Sequence, residues 1–84
     1  MARIILERTY STPLVSNEAW FESDSQLGVC LEERGVEWLR STMSSDRRRT
    51  ICEFQAADAE TVRESCRRAG IPFERVYAAE VIEP

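Results

Sequence analysis

The chain has no lysine and no histidine, so all 11 of its basic residues are arginine. The missing imidazole removes the usual general base and the commonest transition-metal ligand. No GxSxG occurs, which excludes a nucleophile-elbow serine hydrolase. No CxxC occurs, which excludes the iron–sulfur and heavy-metal-carrier motifs of small α+β proteins. The three cysteines, Cys30, Cys52 and Cys66, are odd in number and widely spread; that pattern argues against a secreted disulfide framework and for reduced thiols in a cytosol. No segment approaches the roughly 18 apolar residues needed to span a bilayer, and MARIILERTY carries charge too early for a secretory h-region. The expected location is the cytoplasm. A net charge of −4 repels polyanions at long range, so neither nucleic acid nor an anionic membrane is an expected partner.

What is present suits one domain over residues 1–84, a length that buries only roughly 60–65% of the unfolded surface and so leaves room for association. Arg3 to Tyr10 reads as a strand ended by Ser11, Thr12 and Pro13. Ser16 or Asn17 caps a helix whose stripe is Trp20, Leu27, Cys30 and Leu31, and Gly35 closes it. Val36 to Met43 and Thr50 to Ala56 form a hairpin around Ser44, Ser45, Asp46 and Arg47. Asp58 caps a second helix with Ala59, Val62, Cys66 and Ala69 on its apolar side, stopped by Gly70 and Pro72. Phe73 to Ile82 supplies the last strand. The order βαββαβ predicts an α+β, ferredoxin-like two-layer sandwich, an antiparallel sheet with both helices on one face.

Strand alternation assigns the two sheet faces. Ile4, Leu6, Leu39, Met43, Cys52, Phe54, Tyr77, Ala79 and Val81 are expected beneath the helices. Arg3, Ile5, Glu7, Trp38, Arg40, Ile51, Glu53, Gln55, Val76, Ala78, Glu80 and Ile82 are expected on the uncovered face. That much apolar material in water predicts a homodimer packed face to face. The carboxylates Glu7, Glu53 and Glu80 share this face with Trp38 and Arg40, and a carboxylate held beside apolar surface has its pKa raised. Glu7, Trp38, Arg40 and Glu53 are therefore the candidate ligand-binding residues, for a small polar molecule or a metal ion at the dimer interface. The competing reading is an interface ion-pair network.

Other features read as structural. Cys52 and Cys66 can approach each other between the third strand and second helix, yet each sits on an apolar stripe, where a thiol packs as a small hydrophobe. Arg47, Arg48 and Arg49 on the hairpin tip are a solvated turn before they are a phosphate grip. RRTICEF lacks the glycine and all but one aromatic of an RNA-stacking strand. The loop Ser11 to Asn17 has no glycine-rich phosphate cradle. Glu60 and Glu64 pair with Arg63, Arg67 and Arg68 along the second helix's wet face.

The segments IILERTY, WLRS, TICEFQAAD and ETVRESCRRAGIP resemble a family catalogued as domain-of-unknown-function family 4242, some of whose members are described as nickel-binding. The resemblance implies a ferredoxin-like fold, often dimeric. It also implies histidine at the positions held here by Arg40 and Ser65, while Glu7, Trp38 and Cys52 match. A metal role carried over from it rests on one thiolate and carboxylates, and nickel enters by this resemblance alone. Three function classes follow: a non-catalytic binding module, a protein-interaction domain, and a cofactor-free enzyme using Glu7 or Glu53 as base in a dimeric α+β barrel. The first is preferred; no residue set amounts to a catalytic signature.

Overall fold

A computed structural model describes residues 1–84, which run β1 (Ala2–Thr9), α1 (Asn17–Ser23), α2 (Ser25–Glu33), β2 (Glu37–Met43), β3 (Arg49–Ala56), α3 (Ala59–Ala69) and β4 (Arg75–Ala79). The strands pair antiparallel in the order β2-β3-β1-β4, and the helices cover one face, the ferredoxin-like arrangement. The short dimension of the 35 × 33 × 19 Å molecule is the depth of one sheet and one helix layer, so the other sheet face stays uncovered.

Local chemistry sets most boundaries as expected. Ser16 Oγ accepts from the Ala19 N–H at 3.1 Å and Asp58 Oδ1 from the Thr61 N–H at 2.8 Å, satisfying orphan donors at two helix starts. Gly35 and Gly70, at φ 68° and 69°, occupy left-handed conformations just past α2 and α3, where a side chain is disfavoured. Ile4, Leu6, Cys52 and Phe54 from the sheet pack against Leu27, Leu31, Val62 and Cys66 from the helices, each large apolar side chain contributing about 1.5–3 kcal/mol.

Three features depart from the sequence reading. First, the helix expected between Ser16 and Gly35 is two helices, broken at Asp24 (φ −97°, ψ 7°). Short polar side chains at Ser23, Asp24 and Ser25 compete with the helix backbone, and Ser23 Oγ donates to the Trp20 carbonyl at 2.8 Å. Asp24 turns inward to accept from Arg8 Nη1 at 2.6 Å, with side chains only 2% and 7% exposed. Second, β2 carries a bulge between Trp38 and Arg40, so Trp38 pairs with Phe54 and Arg40 with Glu53. The extra residue, Leu39, breaks the alternation and turns Trp38 under the helices, against the expectation that it faces outward. There its ring lies 5.3 Å from Phe54 and 5.9 Å from Trp20, burial that an indole gains only on this side.

Third, β4 is shorter than expected and in the opposite frame. Val76 pairs with Leu6 and is buried, while Tyr77 pairs with Ile5 on the uncovered face. The frame Arg75, Tyr77, Ala79 carries the charge and the phenol and faces outward, where the Tyr77 hydroxyl reaches a polar partner, while Val76 turns in. Ala79 is likewise outward, and Val81 and Ile82 lie beyond the strand and are exposed. Glu80 also falls outside β4 and is not part of the sheet face to which alternation assigned it.

Asp24→Ala leaves the Arg8 charge buried and alone, and is expected to cost about 3–5 kcal/mol in urea unfolding. The double replacement Arg8→Met/Asp24→Leu is expected to recover most of that loss.

Candidate functional site

Of the four residues expected to hold a ligand, Glu7, Arg40 and Glu53 meet on the uncovered sheet face and Trp38 does not. Outward positions of β1, β3, β2 and β4 bring Arg3, Arg40, Arg49 and Arg75 together with Glu7, Glu37 and Glu53. The strands themselves thus set four arginines against three glutamates on this face, in a chain of net charge −4, and Glu83 beyond β4 adds its charge near Arg40.

The charges fall into two clusters. Glu53 accepts from Arg3 Nη1 at 2.9 Å through Oε1 and from Arg40 Nε at 2.5 Å through Oε2. Glu7 accepts from the Tyr77 hydroxyl at 2.5 Å through Oε2, and its Oε1 lies 3.4 Å from Arg75 Nη2. Ile5 separates them, paired with Glu53 on one side and Tyr77 on the other. Glu7 is only 8% exposed although no helix covers it, because β1 is central and side chains of the flanking strands close over it.

The Arg40 hydrogen bond, with Arg3 adding to it, holds the Glu53 carboxyl below the ordinary carboxylate range. The hydrogen bond to Glu7 pushes the Tyr77 phenol above its usual value. Both glutamates are thus engaged as acceptors, whereas the arginines retain N–H groups that meet no protein acceptor.

Donor atoms for a metal do not converge: no three of the cysteine, aspartate and glutamate side chains form a group able to hold an ion. Cys52 and Cys66 are buried beneath the helices, on the other side of the sheet from Glu7 and Glu53. Desolvation raises the Cys52 thiol and pushes Cys66 up to about 11, so both are neutral, packed sulfurs at ordinary pH. Arg40 and Ser65, the positions where the resemblance implied histidine, stand on opposite faces of the sheet: Arg40 outward on β2, Ser65 buried on α3.

The displaced Trp38 belongs to a different feature. Its Nε1 donates to Ser41 Oγ at 2.8 Å, and that hydroxyl donates to Cys52 Sγ at 3.0 Å. With Trp20, Phe21 and Met43 it walls a groove of about 480 Å³ between α1 and the edge strand β2. Two of the three hairpin-tip arginines are tethered: Arg47 donates to the Leu14 carbonyl and Asn17 Oδ1 at 2.7 and 2.8 Å, and Arg48 to the Ser11 carbonyl at 2.9 Å. They clamp the loop between β1 and α1.

Sequence reading missed Tyr77 and Arg75 as partners of Glu7, and missed Asp24. A signal existed for the last: Arg8 continues the inward series Ile4, Leu6, and a charge at an inward position demands a buried counter-charge.

Two measurements follow from this chemistry. Because folding lowers the Glu53 pKa, the stability it contributes is complete above the unfolded value, near 4.5, and is lost as pH falls through the lower folded value. Glu53→Gln is therefore expected to flatten the acid limb of the stability–pH curve in that window, read by thermal unfolding. In native protein, none of the three buried cysteines is expected to react rapidly with a disulfide reagent at neutral pH, and all three in denaturant.

Residues 5–78 match the family described as SCO4226-like, nickel responsive protein SCO4226-like. No curated protein matches the chain. Among solved structures, the crystal structure of SCO4226 from Streptomyces coelicolor A3(2) is similar, with a TM-score of 0.80 and 11% identity over 98% of this chain and 100% of that one; at that identity the likeness speaks for the fold. With the family match covering most of its length, this chain belongs to the SCO4226-like nickel responsive protein family.

Proposed function

We propose that this chain is a non-catalytic binding module that works as a homodimer, two uncovered sheet faces opposed, with a small anionic ligand held between them. The observation that carries this reading is the arginine-rich sheet face, where Glu7 and Glu53 are already bound by arginine and tyrosine while guanidinium N–H groups of Arg3 and Arg40 keep no protein acceptor. Dimerisation is supported by Ile5, Ile51 and Tyr77, which no helix covers. Two protomers pressed together enclose the two clusters, lowering the local dielectric and strengthening each arginine's hold on an anion.

The domain-of-unknown-function family that the chain resembles is read as this same family. The nickel in the family's name does not fit the residues present here. Nickel favours imidazole, and thiolate where sulfur is exposed and ionised; this chain has no histidine, its buried thiols resist ionisation, and the Arg40 guanidinium stands against Glu53 where a cation would compete for it. An ion-pair network replaces a metal centre in this reading.

Analytical ultracentrifugation is expected to find a dimer that Ile5→Glu converts to folded monomers; single chains at high concentration overturn the reading. Oxalate or inorganic phosphate is expected to raise the melting temperature of the wild type, and far less so of Arg3→Gln/Arg40→Gln. Saturable stabilisation by nickel with none by either anion contradicts the ligand class.

A further inference from the structure

The groove between α1 and β2 has a lopsided inventory of polar atoms. Its apolar wall is Trp20, Trp38 and Met43, with the Phe21 ring at the mouth, 60% exposed and 5.2 Å from the Trp20 ring. Both indole N–H groups are already bonded inside the protein, Trp20 to the Tyr10 hydroxyl at 3.0 Å and Trp38 to Ser41. The Ser41 hydroxyl is bonded in both directions, accepting from Trp38 and donating to Cys52. Two side chains retain free capacity. Arg40 is pinned through Nε to Glu53, which orients the guanidinium and leaves both Nη groups without a protein partner. Asn17 is pinned through Oδ1 by Arg47, which can only donate, so the free half of its amide is the NH₂. The side-chain N–H groups left for a ligand are thus one charged and one neutral, above an aromatic wall, while the acceptors Asn17 Oδ1 and Ser41 Oγ each already hold a donor.

From this inventory we infer that the groove is a second binding site, for a small planar aromatic carboxylate. The ring lies against Trp38 and Phe21, the carboxylate meets the Nη edge of Arg40 in the fork geometry that guanidinium and carboxylate share, and an acceptor on the far side of the ring takes the Asn17 amide. At about 480 Å³ the groove falls within the roughly 300–1,000 Å³ of small-molecule sites. A neutral aromatic would fill the wall but leave the Nη groups of Arg40 unused, and an aliphatic anion would forgo the stacking. A carboxylate of the chain itself, Glu83 beyond β4, also acts on Arg40 electrostatically, so it competes with a ligand carboxylate for this guanidinium.

The site is separable from the sheet-face interface. Arg40 is the residue the two share, whereas Asn17, Phe21 and both tryptophans lie on the helix side. The chain has two tryptophans and both line the groove, so their indole N–H resonances in a ¹⁵N-correlated spectrum report on it. With 4-hydroxybenzoate as probe, both resonances are expected to shift saturably at millimolar ligand, with affinity at least about tenfold above that for 4-hydroxybenzamide, the scale of one charge-assisted pair. Arg40→Gln is expected to lose that preference, Phe21→Ala and Asn17→Ala to weaken binding while the protein's association state is unchanged, and Glu83→Gln to tighten it. The inference is overturned if the acid and the amide bind equally, if neither shifts the indole signals, or if the shifts map to Ile5 and Tyr77 instead. The last result leaves the sheet-face reading standing, and a loss of the dimer with the groove titration intact leaves this one standing.

Discussion

Beneath the helices, Arg8 and Asp24 form an ion pair that has almost no access to water, and much of the molecule's shape answers to it. A guanidinium on the inward side of the central strand is tolerable only beside a counter-charge. Asp24 supplies one by interrupting what would otherwise be a continuous helix. The interruption sets α1 apart from α2, and α1 is the element that presents Asn17, Trp20 and Phe21 to the edge strand. The same guanidinium lies 5.1 Å from the centre of the Tyr10 ring, whose hydroxyl meets Thr50 and receives the Trp20 indole. One buried pair therefore organises the aromatic end of the core and, through it, the groove. Asp24 Oδ1 remains without a partner, so the arrangement is held by one strong contact rather than by a saturated network.

The two faces of the sheet divide the chemistry. Under the helices, buried polar side-chain atoms except Asp24 Oδ1 are hydrogen-bonded within the protein and the Cys52 and Cys66 thiols are neutral, so that side serves packing. On the uncovered side, arginine and glutamate are interleaved across all four strands, with carboxylates locked and guanidinium N–H groups left available. Arg40 belongs to both worlds: β2 is an edge strand, and the bulge beside it lets one residue look outward over the sheet while its neighbours line the groove.

Most of the fold was legible because it rests on local signals. Capping residues at Ser16 and Asp58, glycines after α2 and α3, and the polar hairpin tip each leave a mark of a few residues, and the ferredoxin-like order follows from their spacing. The site was less legible because a face assignment inverts on a single extra residue. In β2, Leu39 is that residue, and nothing in EWLRSTM marks it as a bulge; the deciding contact, Trp38 with Trp20 and Phe54, is made with residues 18 and 16 positions away. In β4, RVYAA sets Arg75 in the same frame as Tyr77, a local mark of the outward face, while the partner that fixes both, Glu7, is far off in the chain. Glu7, Arg40 and Glu53 were placed correctly because β1 and β3 alternate without interruption and Arg40 lies on the hairpin side of the bulge.

The irregularity in β2 has a reach beyond the orientation of one tryptophan. An exposed strand edge is a template on which further chains can add by backbone pairing, the route to fibrils and precipitates. A kinked stretch breaks the even row of amide and carbonyl groups that such growth requires. With β4 only five residues long at the opposite edge, neither border of this sheet offers a long straight template, and self-recruitment along the hydrogen-bonding direction is blunted at both ends.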